Sequence, residues 1–418
     1  MAPGAKDPQE LETAQRLRDQ LSQFKGGVAW DADPPDGPGF LYVPDEVLVD
    51  SARRDEVLDV ITSRGDIFAS GSDAVDEPLD GLSRIPLPAS VNNEGRPDIL
   101  EALKVFDEDV GPGVVTPNHI LHLTADGHSR ICPATEPEET GLSQHWPPEN
   151  ARGDAGEDVR VAVVDTGDYP LGPRPVPKPP ALGAYDGHAR FVAHVLHDRA
   201  PKAAIEHAWI PMPGGGLDEV RMAQEILKLI GPDRPVDERP QVINLSAGCY
   251  TYNNQGLAAF RHLRRVGFAG QDIVLVAAAG NDSSPQDFFP AAFGWVLGVG
   301  SLDHNNKVSS FSNYGRSADV YALGRNMVNV YPYGRYVCHE APNKGDVRRF
   351  DNGLARWSGT SFACPLVAGL IAARMSVDKQ GAKAARDAVV AEAKLGSDPV
   401  HGKYKYLPRN KYLPSYPS

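Results

Sequence analysis

Cysteine is scarce in this sequence: four residues in 418 (Cys132, Cys249, Cys338 and Cys364), none of them in a C-x-x-C pair. That spacing argues against a disulfide framework or a zinc site and reads as reduced thiols of a cytoplasmic protein. Long apolar runs are missing as well. Uninterrupted stretches such as 273–279 fall far short of the ~20 residues that cross a bilayer, so no membrane span is expected. Positive charge is in deficit. With 42 Lys and Arg against 55 Asp and Glu, the formal charge is −13, and neither nucleic acid nor an anionic membrane is an expected partner. The first residues run into a charged segment without an apolar h-region, so no secretory signal is expected either.

Gly (41) and Pro (37) are abundant, which points to many turns between ordered elements. The length exceeds one ordinary core of about 100–200 residues, so more than one domain is expected. Residues 1–37 form an N-terminal extension with a capped amphipathic helix over 7–24, where Leu11, Ala14, Leu17 and Leu21 share a face. Residues 38–124 read as a small α+β unit: strands at 40–49, 66–69, 82–87 and 118–123, helices at 53–64 and 97–106. That β-α-β-β-α-β order is the split βαβ arrangement of ferredoxin-like domains. Residues 125–157 have the acidic, Pro-rich composition of a linker.

From 158 to 400 the grammar changes to short apolar runs (159–164, 205–209, 242–245, 273–277) alternating with helical stretches (188–198, 217–230, 255–266). The fold class expected is α/β, a doubly wound, mostly parallel sheet with helices on both faces, whose chemistry lies beyond the carboxyl ends of the strands. Residues 401–418 form a Pro- and Tyr-rich tail that repeats Lys-Tyr-Leu-Pro at 405–408 and 411–414.

The strand ends carry the reactive residue types. Asp165 follows the run at 159–164, where a carboxylate needs hydrogen-bond partners. Its Asp-Thr-Gly context also occurs in aspartic proteases, but those need two such carboxylates and one is present. His188 opens a helix, a position whose dipole favours a neutral imidazole suited to general-base work. His194 and His197 lie further along, without the H-E-x-x-H spacing of a metalloprotease. Asn281 follows the run 273–279 and Gly280, where its side-chain N–H can face the space beyond the sheet. Ser361 precedes an all-apolar helix that it is placed to cap, with Pro365 in the first turn. It does not lie in a G-x-S-x-G elbow. Taken singly, Asp165 is a turn residue and Ser361 an N-cap.

Together these segments resemble the subtilase family of serine proteases over about 159–375. The likeness is carried by VAVVDTG with Asp165, GHARFVA with His188, VINLSAG with Ser246, Ala247 and Gly248, VAAAGND with Asn281, VSSFSNYG at 308–315, and SGTSFACPLVAG with Ser361. The chain order Asp, His, Ser is that of subtilisin. The resemblance implies a serine endopeptidase in which Ser361 attacks the scissile carbonyl, His188 transfers the proton, Asp165 orients the imidazole and Asn281 binds the oxyanion. It also implies that Ser246, Ala247 and Gly248 pair with substrate backbone, facing Ala278, Ala279 and Gly280 across an open, apolar pocket, unless Cys249 and Tyr250 narrow it. Ala189-Arg190 replaces the Gly-Thr usual after the histidine, which keeps a weak or inactive peptide-binding module as the alternative. The insertion at 331–352 reads as a lid or specificity loop. No cofactor is implied. Calcium is common in the family, yet no acidic loop has convincing ligand spacing.

The unit at 38–124 resembles the inhibitory propeptide domain of many subtilases. In that case residues 121–124 lead toward the cleft, the domain acts as an intramolecular inhibitor, and a cut within 125–150 removes it. A permanent accessory domain is the other reading.

Overall fold

The computed structural model describes residues 29–31, 39–64, 68, 75–87, 99–123, 134–148, 153–166, 181–210, 215–340 and 342–408. The helix expected over 7–24, Cys132, Thr124 and the second Lys-Tyr-Leu-Pro lie outside them, as does all but Phe68 of the strand expected at 66–69.

In the N-terminal unit, β1 (Ala29–Asp31) pairs with β2 (Phe40–Asp50). Then follow α1 (Arg54–Ser63), β3 (Asp76–Leu79), β4 (Leu82–Pro86), α2 (Ile99–Asp109) and β5 (Val115–His122). The strand order β3-β4-β2-β5 is antiparallel throughout, the arrangement of the split βαβ unit. The strand after α1 is Asp-Glu-Pro-Leu at 76–79, which has only Leu79 buried and so carries no alternating pattern to read. It lies on the sheet edge, where a proline is tolerated. One face of the sheet packs Val47, Val49 and Ile85 against Val57 and Ile61 of α1 and Leu103 and Phe106 of α2.

The larger unit is a sheet wound from β6 (Arg160–Asp165), followed by β7 (Ala181–Leu182), α3 (His188–His197) and β8 (Ala204–Trp209). The chain continues through β9 (Gly216–Asp218), α4 (Glu219–Ile230), β10 (Val242–Leu245), α5 (Ala258–Leu263), β11 (Val274–Ala278), β12 (Leu297–Leu302) and β13 (Val320–Leu323). Next come β14 (Met327–Val330), β15 (Gly334–Val337), β16 (Val347–Phe350) and β17 (Leu354–Trp357). The last described elements are α6 (Thr360–Asp378), α7 (Ala382–Ala391), β18 (Lys394–Asp398) and β19 (Gly402–Tyr406).

The main sheet has the order β18-β19-β13-β12-β11-β10-β6-β8 and is parallel apart from the hairpin β18-β19. From β6 the chain steps to β8 on one side and then to β10 on the other, so the switch point lies between β6 and β10. Successive residues of a strand face opposite sides: Val161 and Val163 join one core with Phe191 and Phe362, while Ala162 and Val164 join the other with Val220 and Phe260. Both faces are covered, which is why the strands read as continuous apolar runs.

By length and mean hydropathy α6 is able to cross a membrane, yet 83% of that window is buried inside the fold. The first tail repeat contributes to β19, which pairs with β13 through Tyr406 and Tyr321.

The sheet face of the N-terminal unit that its own helices do not cover lies on α4 and α5. Leu48, Leu79, Leu82, Leu121 and Leu123 share one apolar cluster with Val220, Ala223, Phe260 and Leu263. At this contact Glu219 is fully buried. Its carboxylate accepts the His119 Nδ1–H (2.9 Å) and the backbone N–H groups of His119 and Ala259, and His119 Nε2 accepts the N–H of Tyr252. Residues 134–148, read from composition as linker, bridge to β17 through Glu138 and Arg356 and to β14 through Trp146 and Val328. The insertion at 331–352 contains the hairpin β15-β16, which adds to β7, and Glu136 accepts hydrogen bonds from Tyr336 Oη and the His339 N–H.

Candidate active site

Asp165 is the last residue of β6, at the switch point, and is buried. Its Oδ1 accepts the N–H of Thr166 at 2.7 Å. His188 is the first residue of α3, and its Nδ1 lies 2.8 and 3.0 Å from the two carboxylate oxygens of Asp165. A carboxylate only accepts, so the imidazole proton sits on Nδ1 and Nε2 carries the lone pair. The backbone at Gly187 is closed against Tyr331, whose ring a Cβ there would strike. Trp357 and Phe362 stand 5.8 and 5.7 Å from the imidazole and hold it from behind.

Ser361 is the second residue of α6, and Gly359 occupies the cap position that the sequence reading gave to Ser361. Pro365 lies two residues further into the helix than expected. Lacking an N–H, it cannot bond the carbonyl four residues back, which is that of Ser361. Ser246 supplies the missing donor: its Oγ–H bonds the Ser361 carbonyl at 2.9 Å. The residue expected at the substrate edge and the turn of the expected nucleophile are thereby joined.

Asn281 is fixed through its oxygen. Its Oδ1 accepts both the Thr360 N–H (2.8 Å) and the Thr360 hydroxyl (3.0 Å), which leaves the side-chain NH₂ as the free donating face. Asn313 braces the same loop by donating its N–H to the Gly280 carbonyl and accepting the N–H groups of Asp282 and Ser284 at Oδ1. Gly280 has φ +98°, and a Cβ there would strike Asn313. Thr360 and Asn313 lie inside recognisable blocks, but nothing in their spacing announces what they hold. Asp165 with His188, and Asn281 with the turn of Ser361, are each tied directly. His188 Nε2 is buried and has no hydrogen-bond partner among the described residues, so the link from imidazole to Ser361 is open. Such links tighten when substrate binds.

Ser246, Ala247 and Gly248 continue from β10, and the edge is occupied. The N–H of His122 bonds the Gly248 carbonyl (3.0 Å) and the Gly248 N–H bonds the His122 carbonyl (3.1 Å). On its other side β5 pairs with β9, and the Leu123 N–H bonds the Gly215 carbonyl. Facing that edge, Ala278, Ala279 and Gly280 are buried, and the space between Gly248 and Gly280 is not open. The ring of Phe288 lies there, so close that a Cβ at Gly248 would strike it and one at Gly280 would come within 3.1 Å. Tyr250 meets that ring edge-on at 5.2 Å.

His194 and His197 lie away from this site. The His194 ring is 6.1 Å from that of His145, whose Nδ1 meets Asp198 at 3.1 Å. Burial pushes the His194 pKa down to about 4. Among the described residues no group of three or more His, Cys, Asp or Glu is placed to hold a metal ion, and Cys249, Cys338 and Cys364 are buried thiols that form no disulfide with one another.

The sheet with this switch point and its strand-end Asp165–His188 pair can be set beside known families. The subtilase family matches residues 184–405, more than half of the chain, and this protein belongs to that family. The matched span contains His188, Asn281 and Ser361 and begins after Asp165. Among curated relatives, a thermophilic serine proteinase of Bacillus sp. (strain AK1) is 37% identical over 136 residues, 32% of this chain and 28% of that protein. Subtilisin BL of Lederbergia lenta is 27% identical over 251 residues, 54% of this chain and 79% of that one. Among solved structures, the prenylagaramide maturation protease PagA aligns over 63% of this chain and 96% of its own, with a TM-score of 0.47 and 22% identity.

Proposed function

We propose that this chain is a serine endopeptidase acting through Asp165, His188, Ser361 and Asn281. The observation that carries the reading is the buried Asp165–His188 pair, whose hydrogen bond leaves the Nε2 lone pair free to act as base. Ser361 Oγ adds to the scissile carbonyl as its proton passes to Nε2. The Asn281 side chain and the Ser361 N–H take the charge on the carbonyl oxygen. Collapse expels the amine, which leaves with the proton from Nε2. Water then repeats the sequence on the acyl-enzyme and restores Ser361. The substrate is a peptide or protein held as an extended strand between Gly248 and the β9 side, as β5 is held here.

The occupation of that edge by His122 supports a second role within the same chain, with the N-terminal unit as an intramolecular inhibitor. Residues 134–148 are paired onto the larger unit, so the cut that would release the inhibitor falls between Leu123 and Ala134. A fluorophosphonate probe tests the chemistry. It should label the protein, and Ser361→Ala should abolish labelling. If the wild type is labelled neither intact nor after the chain is cut between Leu123 and Ala134, the chain is an inactive peptide-binding module.

A further inference from the structure

We infer that Phe288 closes the primary specificity pocket and restricts cleavage to bonds that follow a small residue. The inference rests on the protease reading and narrows its substrate class. The pocket for the side chain before the scissile bond lies between the edge 246–248 and the wall 278–280, and small residues on both walls lead one to expect an open slot. In this chain the slot is filled from below. Phe288 is 2% exposed, its Cδ1 is 2.9 Å from where a Gly248 Cβ would stand, and its Cγ is 3.1 Å from the equivalent point at Gly280. The ring therefore touches the backbone of both walls.

It has little freedom to withdraw. Its N–H bonds Ser317 Oγ at 2.7 Å, and the next residue is locked to Cys249 by two backbone hydrogen bonds of 2.8 Å. Tyr250, which would have to yield behind the ring, donates its hydroxyl to Asp282 and accepts the Asn313 side-chain N–H. A Gly, Ala, Ser or Thr side chain fits above such a floor, whereas a Leu, Phe or Tyr side chain overlaps the ring. Close-packed interiors do not absorb that overlap cheaply.

The test is a set of peptides that share one sequence except at the residue before the cleaved bond, assayed with the full-length protein and with Phe288→Ala and Phe288→Leu. Fluorophosphonate labelling of each sample is run alongside. The wild type should favour Ala, Ser or Thr over Leu or Phe by at least about tenfold in kcat/KM, the scale on which a pocket discriminates by size. Phe288→Ala, or the milder Phe288→Leu if the first does not fold, should shift that preference toward the larger residues by a similar factor. A labelled wild type that prefers Leu or Phe overturns the inference and leaves the protease reading standing. A wild type that is unlabelled both intact and after a cut between Leu123 and Ala134 overturns the protease reading and the inference with it.

Discussion

Single residues in this molecule are held by partners distant in sequence, and those ties are what the sequence hides. The candidates Asp165, His188, Asn281 and Ser361 are legible because each lies at or close to the start or end of an element and sits in a block of recognisable order. Their supports are not, since Thr360, Asn313 and Ser246 act through contacts that close only when strands from distant parts of the chain lie side by side. Phe288 is invisible for the same reason, as the first of two phenylalanines that precede a proline. His194 yields a prediction at this scale. Buried and with its pKa pushed down to about 4, it stays neutral in the fold, whereas the unfolded chain takes up a proton near the ordinary value of 6.5. Stability is thus complete above about pH 6.5 and lost as pH falls toward 4, by at most about 3 kcal/mol for this one group. His207 is pushed the same way and adds to the slope. Denaturant unfolding of wild type and His194→Asn between pH 4.5 and 7 should show a shallower acid loss in the variant. Equal slopes would rule the argument out.

Among elements, apolar runs made the parallel strands easy to read and left the exceptions unreadable. β3 has one buried residue, β9 hides at the start of a helical stretch, and the tail repeat turns into β19 because Tyr406 finds Tyr321. The element on which the inhibitor proposal depends is β5. Leu121 lies at the contact between the two units and is fully buried in the cluster that contains Leu217 and Val220. Burying such a side chain is worth about 1.5–3 kcal/mol, and forcing a carboxylate into its place costs more. Leu121→Asp should therefore loosen β5 from the edge and raise the initial rate of peptide cleavage by the uncut chain at least about tenfold. A rate unchanged in a folded Leu121→Asp protein would show that β5 does not block substrate.

For the whole molecule, composition and alternation were enough to anticipate a sheet covered on both faces, preceded by a small antiparallel unit. They did not reveal that the two units share one apolar cluster, because the same leucines serve equally well in a private core. If the small unit is a removable inhibitor, intact-mass measurement of purified wild type should find a cut between Leu123 and Ala134, and Ser361→Ala should remain full length. An active wild type that stays uncut would make the small unit a permanent part of the enzyme.

The order of the segments along the chain bears on when the proposed inhibitor would meet the proposed active site. Asp165 and Ser361 lie about 200 residues apart, and a ribosome adding roughly 5–20 residues per second needs about 10–40 s to pass from one to the other. β5 is made before either, and Gly248 follows within that interval. If the small unit is an inhibitor, its strand can thus pair with Gly248 before Ser361, the proposed nucleophile, has been added.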